Sequence, residues 1–116
     1  MKAQRELVVG GMTFLLYGIL DVLLAGIIYD VKFRNKSLAS EDIYGKYLDS
    51  AQHPAYFYLV PEASEFQYIV SDGEDVYVEV YRRDETPHIS EIITQFVVWL
   101  NNAGLMERYK QHWEAL

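Results

Sequence analysis

The residues with chemistry to offer are few and dispersed. Three histidines, His53, His88 and His112, stand far apart with no two at i,i+4 spacing, so no metal site is read from them. Carboxylates are plentiful (Glu62, Glu65, Asp72, Glu74, Asp75, Glu79), but acidic side chains in turns and linkers are usually solvated. No glycine-rich phosphate loop follows a strand, and no G-x-S-x-G elbow or other nucleophile motif is present. Cysteine is absent, which excludes disulfides, thiolate metal sites and cysteine nucleophiles. Trp99 and Trp113 read as packing or interfacial residues rather than cofactor stackers. The expectation is therefore a protein with no catalytic residue, no metal ligand and no cofactor.

The elements around these residues are more telling. The chain has 116 residues, 51% of them hydrophobic and 15% aromatic, enough for one domain, or a small domain with an appendage. Its formal net charge of −7 argues against a nucleic-acid partner, because phosphate contacts need a basic face.

Leu7 to Tyr29, "LVVGGMTFLLYGILDVLLAGIIY", carries one charge, Asp21, and shows no polar stripe. A bilayer core needs about 20 apolar residues at a rise of about 1.5 Å each, so this run is long enough to span it. The spacing predicts one continuous helix of about 35 Å, membrane-bound, with Gly11, Gly18 and Gly26 facing a neighbouring helix. Asp21, costly at mid-membrane, would face a pore or a helix bundle. Two alternatives are a core helix with Asp21 at its rim and an export signal. The second fits poorly, because the apolar stretch is too long and no A-x-A site follows.

Three segments follow from this reading: a transmembrane segment at 1–30, a polar linker at 31–54 and a small lobe at 55–116. Within the linker a short helix is expected, capped by Ser40 with Glu41 and Asp42 in its first turn. Asn35-Lys36-Ser37 is a glycosylation sequon, with Asn35 as the acceptor. "AYFYLVP" (Ala55 to Pro61) reads as a strand. "EFQYIV" and "VYVEVY" read as a hairpin turning through Asp72-Gly73.

Thr86-Pro87 is expected to start a helix over Ile89–Asn101. Its stripe of Ile89, Ile92, Ile93, Phe96, Val97 and Leu100 is expected to pack on strands 66–70 and 76–81. Gly104 should reverse the chain into a second helix from Leu105 to about Trp113. The fold class is α+β: one long apolar helix, then a mixed domain with a β-hairpin and two closing helices.

"VYVEVYRRDETPHISEIITQFVVWLNNAGLMERYKQHW" resembles the end of the second ligand-binding lobe of the ionotropic glutamate receptor family, in its arthropod chemosensory branch. The matching elements are Tyr81, Arg82 and Arg83, then Thr86-Pro87, the helix, Leu100, Ala103-Gly104-Leu105 and Trp113. "RELVVGGMTFLLYGILDVLLAGIIYDVKF" is similar to that family's third membrane helix, and "SLASEDIYGKYL" to the opening of the lobe. The family's gate motif is missing at Asp21 to Ile27, its paired cysteines are absent, and no ligand-binding residue carries over.

The resemblance implies a C-terminal fragment of a ligand-gated cation channel in the plasma membrane, unable to conduct alone. Its implied partners are membrane lipid, other membrane helices or receptor subunits, and a small-molecule ligand. The rival readings are a soluble or peripheral α+β interaction module and a single-pass accessory subunit of a membrane complex.

Overall fold

The computed structural model describes residues 2–35, 38 and 45–114, the side chains of 113 and 114 excepted. The expected cap at Ser40 with Glu41 and Asp42, the rest of the sequon after Asn35, and the Trp113 side chain lie outside these residues.

The apolar run is not a helix. It folds into strands β1 (Lys2–Val9) and β2 (Met12–Ile19), then β3 (Val22–Leu24) and β4 (Ile27–Phe33). Both hairpins close through two-residue loops, as the register Val9↔Met12 and Leu24↔Ile27 shows. Gly10 and Gly11 take φ of 58° and 77°, and Ala25 and Gly26 take 53° and 77°. Positive φ at both loop positions is the turn whose twist matches a hairpin. The β-branched and aromatic residues between these turns favour strands, and exposure alternates strictly along the first six residues of β2.

Among the described residues no helix is long and apolar enough to cross a membrane. This overturns the transmembrane helix, the membrane placement that rested on it, and the helical class assigned to residues 7–29. The architecture is α+β, with three helices and six strands among the described residues.

"AYFYLVP" is also not a strand. It lies mostly within helix α1 (Gln52–Leu59). A short helix that is apolar all round must be buried on more than one side, and α1 is. One side packs on the four-stranded sheet β3-β4-β5-β6, formed with β5 (Glu65–Ser71) and β6 (Val76–Arg82). Phe57 and Leu59 join Ile28, Phe66 and Tyr68 there, with Leu20 and Ala63. On another side Ala55 and Tyr58 meet the β1–β2 hairpin and helix α2 (Ile89–Asn102) around Val9, Ile89 and Ile93. β4 and β5 run parallel, Asp30 beside Tyr68, and α1 lies in the connection between them.

The closing hairpin and both closing helices, α2 and α3 (Met106–Glu114), fall where the sequence places them. Their packing differs from expectation. α2 buries Ile89, Ile93 and Leu100, and it lies against β1 and α1 rather than against β5 and β6. Phe96 is only half-buried, in ring contact with Trp99 and Tyr109. The cap is His88, whose ring nitrogen accepts the Ser90 amide, whereas Thr86 donates its hydroxyl to the Arg82 carbonyl. Gly104 reverses the chain at φ 70°, and the Leu105 amide returns to the Leu100 carbonyl at 2.9 Å.

Candidate functional site

Asp21 sits in the bend between β2 and β3, where its Oδ2 accepts the Val31 amide at 3.0 Å. That bond ties the bend to β4 beside Asp30. Residues two apart on a strand share a face, so Asp30 and Lys32 both point to the side covered by α1. There Gln52, the first residue of α1, donates its Nε2 to Asp30 Oδ1 at 3.0 Å. Lys32 Nζ stands 2.9 Å from Asp30 Oδ2 and 3.5 Å from Gln52 Oε1. The ammonium lies at ion-pair distance, yet no hydrogen bond reaches the buried Oδ2.

Tyr56, one helical turn after Gln52, donates its hydroxyl to the Ile19 carbonyl at 2.9 Å. Burial pushes this phenol above its usual range, and the nearby charges of Asp30 and Asp21 add to that. Asp30, Lys32 and Gln52 thus form one polar cluster, flanked by the bend that Asp21 ties to Val31 and that Tyr56 holds at Ile19.

A second polar cluster lies deeper under α1. Tyr68, fully buried, accepts the His53 amide at 3.1 Å and stands 2.8 Å from His53 Nδ1. The His53 ring stacks on Tyr81 with centroids 4.1 Å apart. Glu79 is buried on the same sheet face, where it accepts the Tyr77 and Tyr81 hydroxyls and the Tyr47 amide. On β6 it is thus Tyr77, Glu79 and Tyr81 that face inward, while Val76, Val78 and Val80 face out.

Burial lowers the His53 imidazole to about 4, with the Glu79 charge opposing. The native state therefore disfavours protonation between that value and about 6.5, the usual one. The stability this contributes is present above about pH 6.5 and is lost as pH falls toward 4, on the order of 3 kcal/mol. Urea titrations at pH 4.5, 5.5 and 6.5 are expected to show a slope of stability against pH that His53→Gln flattens. An unchanged slope would remove His53 from the acid transition.

The sequence-singled residues scatter differently from expectation. Asp21 lies in the β2–β3 bend, bonded to the Val31 amide, and not on a helix. Gly11 and Gly26 are turn residues, not helix-packing ones. Gly18 is a close approach, since a Cβ there would lie 2.7 Å from the Tyr56 ring. Asn35 is exposed just after β4. His53 is core, His88 caps α2 and His112 lies on α3. Among the described residues no three His, Asp or Glu side chains converge as a metal cage.

Asp30, Lys32, Gln52 and Tyr56 were not singled out by the sequence. Two spacings signal them: Asp-x-Lys on one strand face, and Gln with Tyr at i,i+4 on one helix face. The first straddles the end of the apolar run, and the second straddles the start of "AYFYLVP".

No family model matches the chain, and no curated protein matches it. A solved structure described as "Crystal structure of SSO0001" is similar, with a TM-score of 0.61 at 17% sequence identity. The match covers 84% of this chain and 45% of that one. At that identity the likeness establishes a shared fold only, and no enzymatic description comes with it. The chain spans less than half the length of that protein.

Proposed function

We propose that the chain is a divalent-cation-dependent phosphodiester hydrolase, acting on the linkage found in nucleic-acid backbones. The observation that carries this reading is the meeting of Asp30, Lys32 and Gln52 beside one buried carboxylate oxygen that no hydrogen bond reaches, with Asp21 bonded to the amide of Val31 between the first two. Magnesium takes oxygen ligands, keeps several waters, and needs only one or two carboxylates with substrate phosphate completing its shell. Asp21 and Asp30 suit such an ion. Zinc is a poorer fit, because the site brings neither histidine nor cysteine to these carboxylates.

When bound, the cation polarises the phosphate and lowers the pKa of a bound water. Lys32 supplies a second positive charge where negative charge grows on the phosphoryl oxygens. Gln52 fixes the rotamer of Asp30, and Tyr56 fixes the bend that carries Asp21 by holding the Ile19 carbonyl. The net charge of −7 means that attraction to a polyanion must come through the cation rather than a basic face. Substrate binding is accordingly weak and cation-dependent. The sequence shows no catalytic motif, so the proposal stands on this geometry.

The test is cleavage of bis(p-nitrophenyl) phosphate and of labelled single- and double-stranded oligonucleotides, with Mg²⁺, Mn²⁺ or EDTA. Hydrolysis that needs the cation and stops with EDTA is expected. A folded chain that cleaves none of these substrates with either cation would overturn the reading.

A second reading, an interaction module, is favoured by a different observation. The sheet face opposite α1 exposes Val22, Leu24, Val31, Phe33, Val76, Val78 and Val80, and exposed apolar areas of this kind commonly mark contact surfaces.

A further inference from the structure

We propose that Tyr47 is a positioning residue, forming with Tyr68 an aromatic wall that holds the Lys32 ammonium against Asp30 and Gln52. This rests on the hydrolase reading for its catalytic meaning, while the placement of Lys32 can be measured without it. The Tyr47 and Tyr68 rings stack with centroids 4.3 Å apart and planes 11° from parallel. Lys32 Nζ lies 5.7 Å from the centre of the first ring and 5.9 Å from that of the second, within cation–π range.

Neither ring is free to drift. Tyr68 is buried in the sheet and fixed through its hydroxyl to His53, the residue after Gln52. Tyr47 is anchored through its backbone, its amide donating to Glu79 Oε1 at 3.1 Å. Glu79 is in turn buried and holds the Tyr77 and Tyr81 hydroxyls. A chain of contacts thus runs from β6 through Glu79 and Tyr47 to Lys32.

A lysine has four rotatable side-chain bonds and sweeps a wide arc unless something limits it. Here Asp30 and Gln52 attract the head from one side and the stacked rings bound it from another. The Tyr47 ring meets this cluster at the ammonium, 5.7 Å from its centre, so its effect is on where Lys32 stands. Because the anchor is the backbone amide, replacing the side chain leaves the Glu79 contact in place.

The experiment uses the whole chain with ¹³C-labelled lysine, its five lysines resolved by NMR and Lys32 assigned by the loss of its signal in Lys32→Met. Ring currents from Tyr47 and Tyr68 should shift the Lys32 methylene signals upfield in the parent protein. Tyr47→Ala should move them most of the way to the values of an exposed lysine, and Tyr47→Phe should keep them. In the cleavage assay Tyr47→Ala should lower kcat by about 10²-fold, the scale of a misplacement of about 1 Å. KM and the Mn²⁺ midpoint should stay put, and Tyr47→Phe should restore the rate.

Lys32 shifts that are ordinary in the parent chain, or unchanged in Tyr47→Ala, overturn the proposal. So does a Tyr47→Ala chain whose kcat matches the parent. If the parent cleaves nothing while the Lys32 shifts behave as expected, the hydrolase reading fails and the aromatic wall stands.

Discussion

Asp30→Asn is expected to leave the fold intact and to lower cation-dependent cleavage by at least about 10³-fold. Asparagine is nearly isosteric and can still accept from Gln52 Nε2 through its amide oxygen, so the contact between β4 and α1 survives. What goes is the negative charge on a buried oxygen, the one atom in the site with ion-pair company and no hydrogen bond. Lys32 keeps a hydrated alternative, because about a third of its side chain is exposed (35%). No unpaired charge is therefore sealed inside the protein.

The Mn²⁺ midpoint should rise as well. Asp21→Asn should act the same way, and the double variant should lose much less than the product of the two, since groups acting as one unit are not additive. Asp72→Asn is the control. That carboxylate is held below its usual range, to about 2, by the amides of Asp75, Leu38 and Glu74, and it ties the β5–β6 turn to the segment at Leu38, away from Asp30. Rates are read from initial velocities across a cation titration, with circular dichroism to confirm folding. A parental rate in Asp30→Asn would remove this carboxylate from the chemistry.

How much of this was legible in the sequence depended on how each element buries itself. β5 and β6 carry period-two alternation around Asp72-Gly73, and α2 carries a one-sided apolar stripe, so each declares its geometry locally. The first four strands do not. In β2 and β3 the inner faces pack inward while the outer faces stay apolar and exposed at Leu15, Tyr17, Ile19, Val22 and Leu24. No alternation survives, and the run imitates a membrane helix. The turn signals were present in Gly10-Gly11 and Ala25-Gly26, but a glycine at a turn and a glycine at a helix contact look alike in sequence.

α1 failed for the opposite reason. It is eight residues long and enclosed on several sides, so it shows no polar face to set its period. These two features together hide the site. Asp21, Asp30 and Lys32, and Gln52 with Tyr56, come from a bend, a strand and a helix whose meeting depends on the parallel pairing of β4 with β5. No local pattern announces that pairing.

The same shift of the core relocates the most sensitive packing position. The apolar stripe of α2, read alone, makes Phe96 a core residue. In the structure that place belongs to Phe66, which has no exposed surface. Its ring centre lies 4.7 Å from Tyr68, 5.8 Å from Tyr56, 6.2 Å from His53 and 6.4 Å from Phe57. Three of these four rings belong to α1 and the fourth to the sheet, so Phe66 is the surface on which the helix rests. Deleting a fully buried phenylalanine costs about 3–5 kcal/mol, because rigid neighbours cannot collapse into the space.

Phe96 contacts the rings of Trp99 and Tyr109, at the junction of α2 and α3. It is half-buried, and α3 can close on the gap. Its replacement by alanine should cost about 1–2 kcal/mol. Domains of this size hold about 5–15 kcal/mol in all, so Phe66→Ala should approach unfolding at 25 °C while Phe96→Ala should not. Urea midpoints of both variants at pH 7 decide the order. If Phe96→Ala proves the more damaging, the core is not centred on α1, and the helix that carries Gln52 and Tyr56 is not where the site requires it.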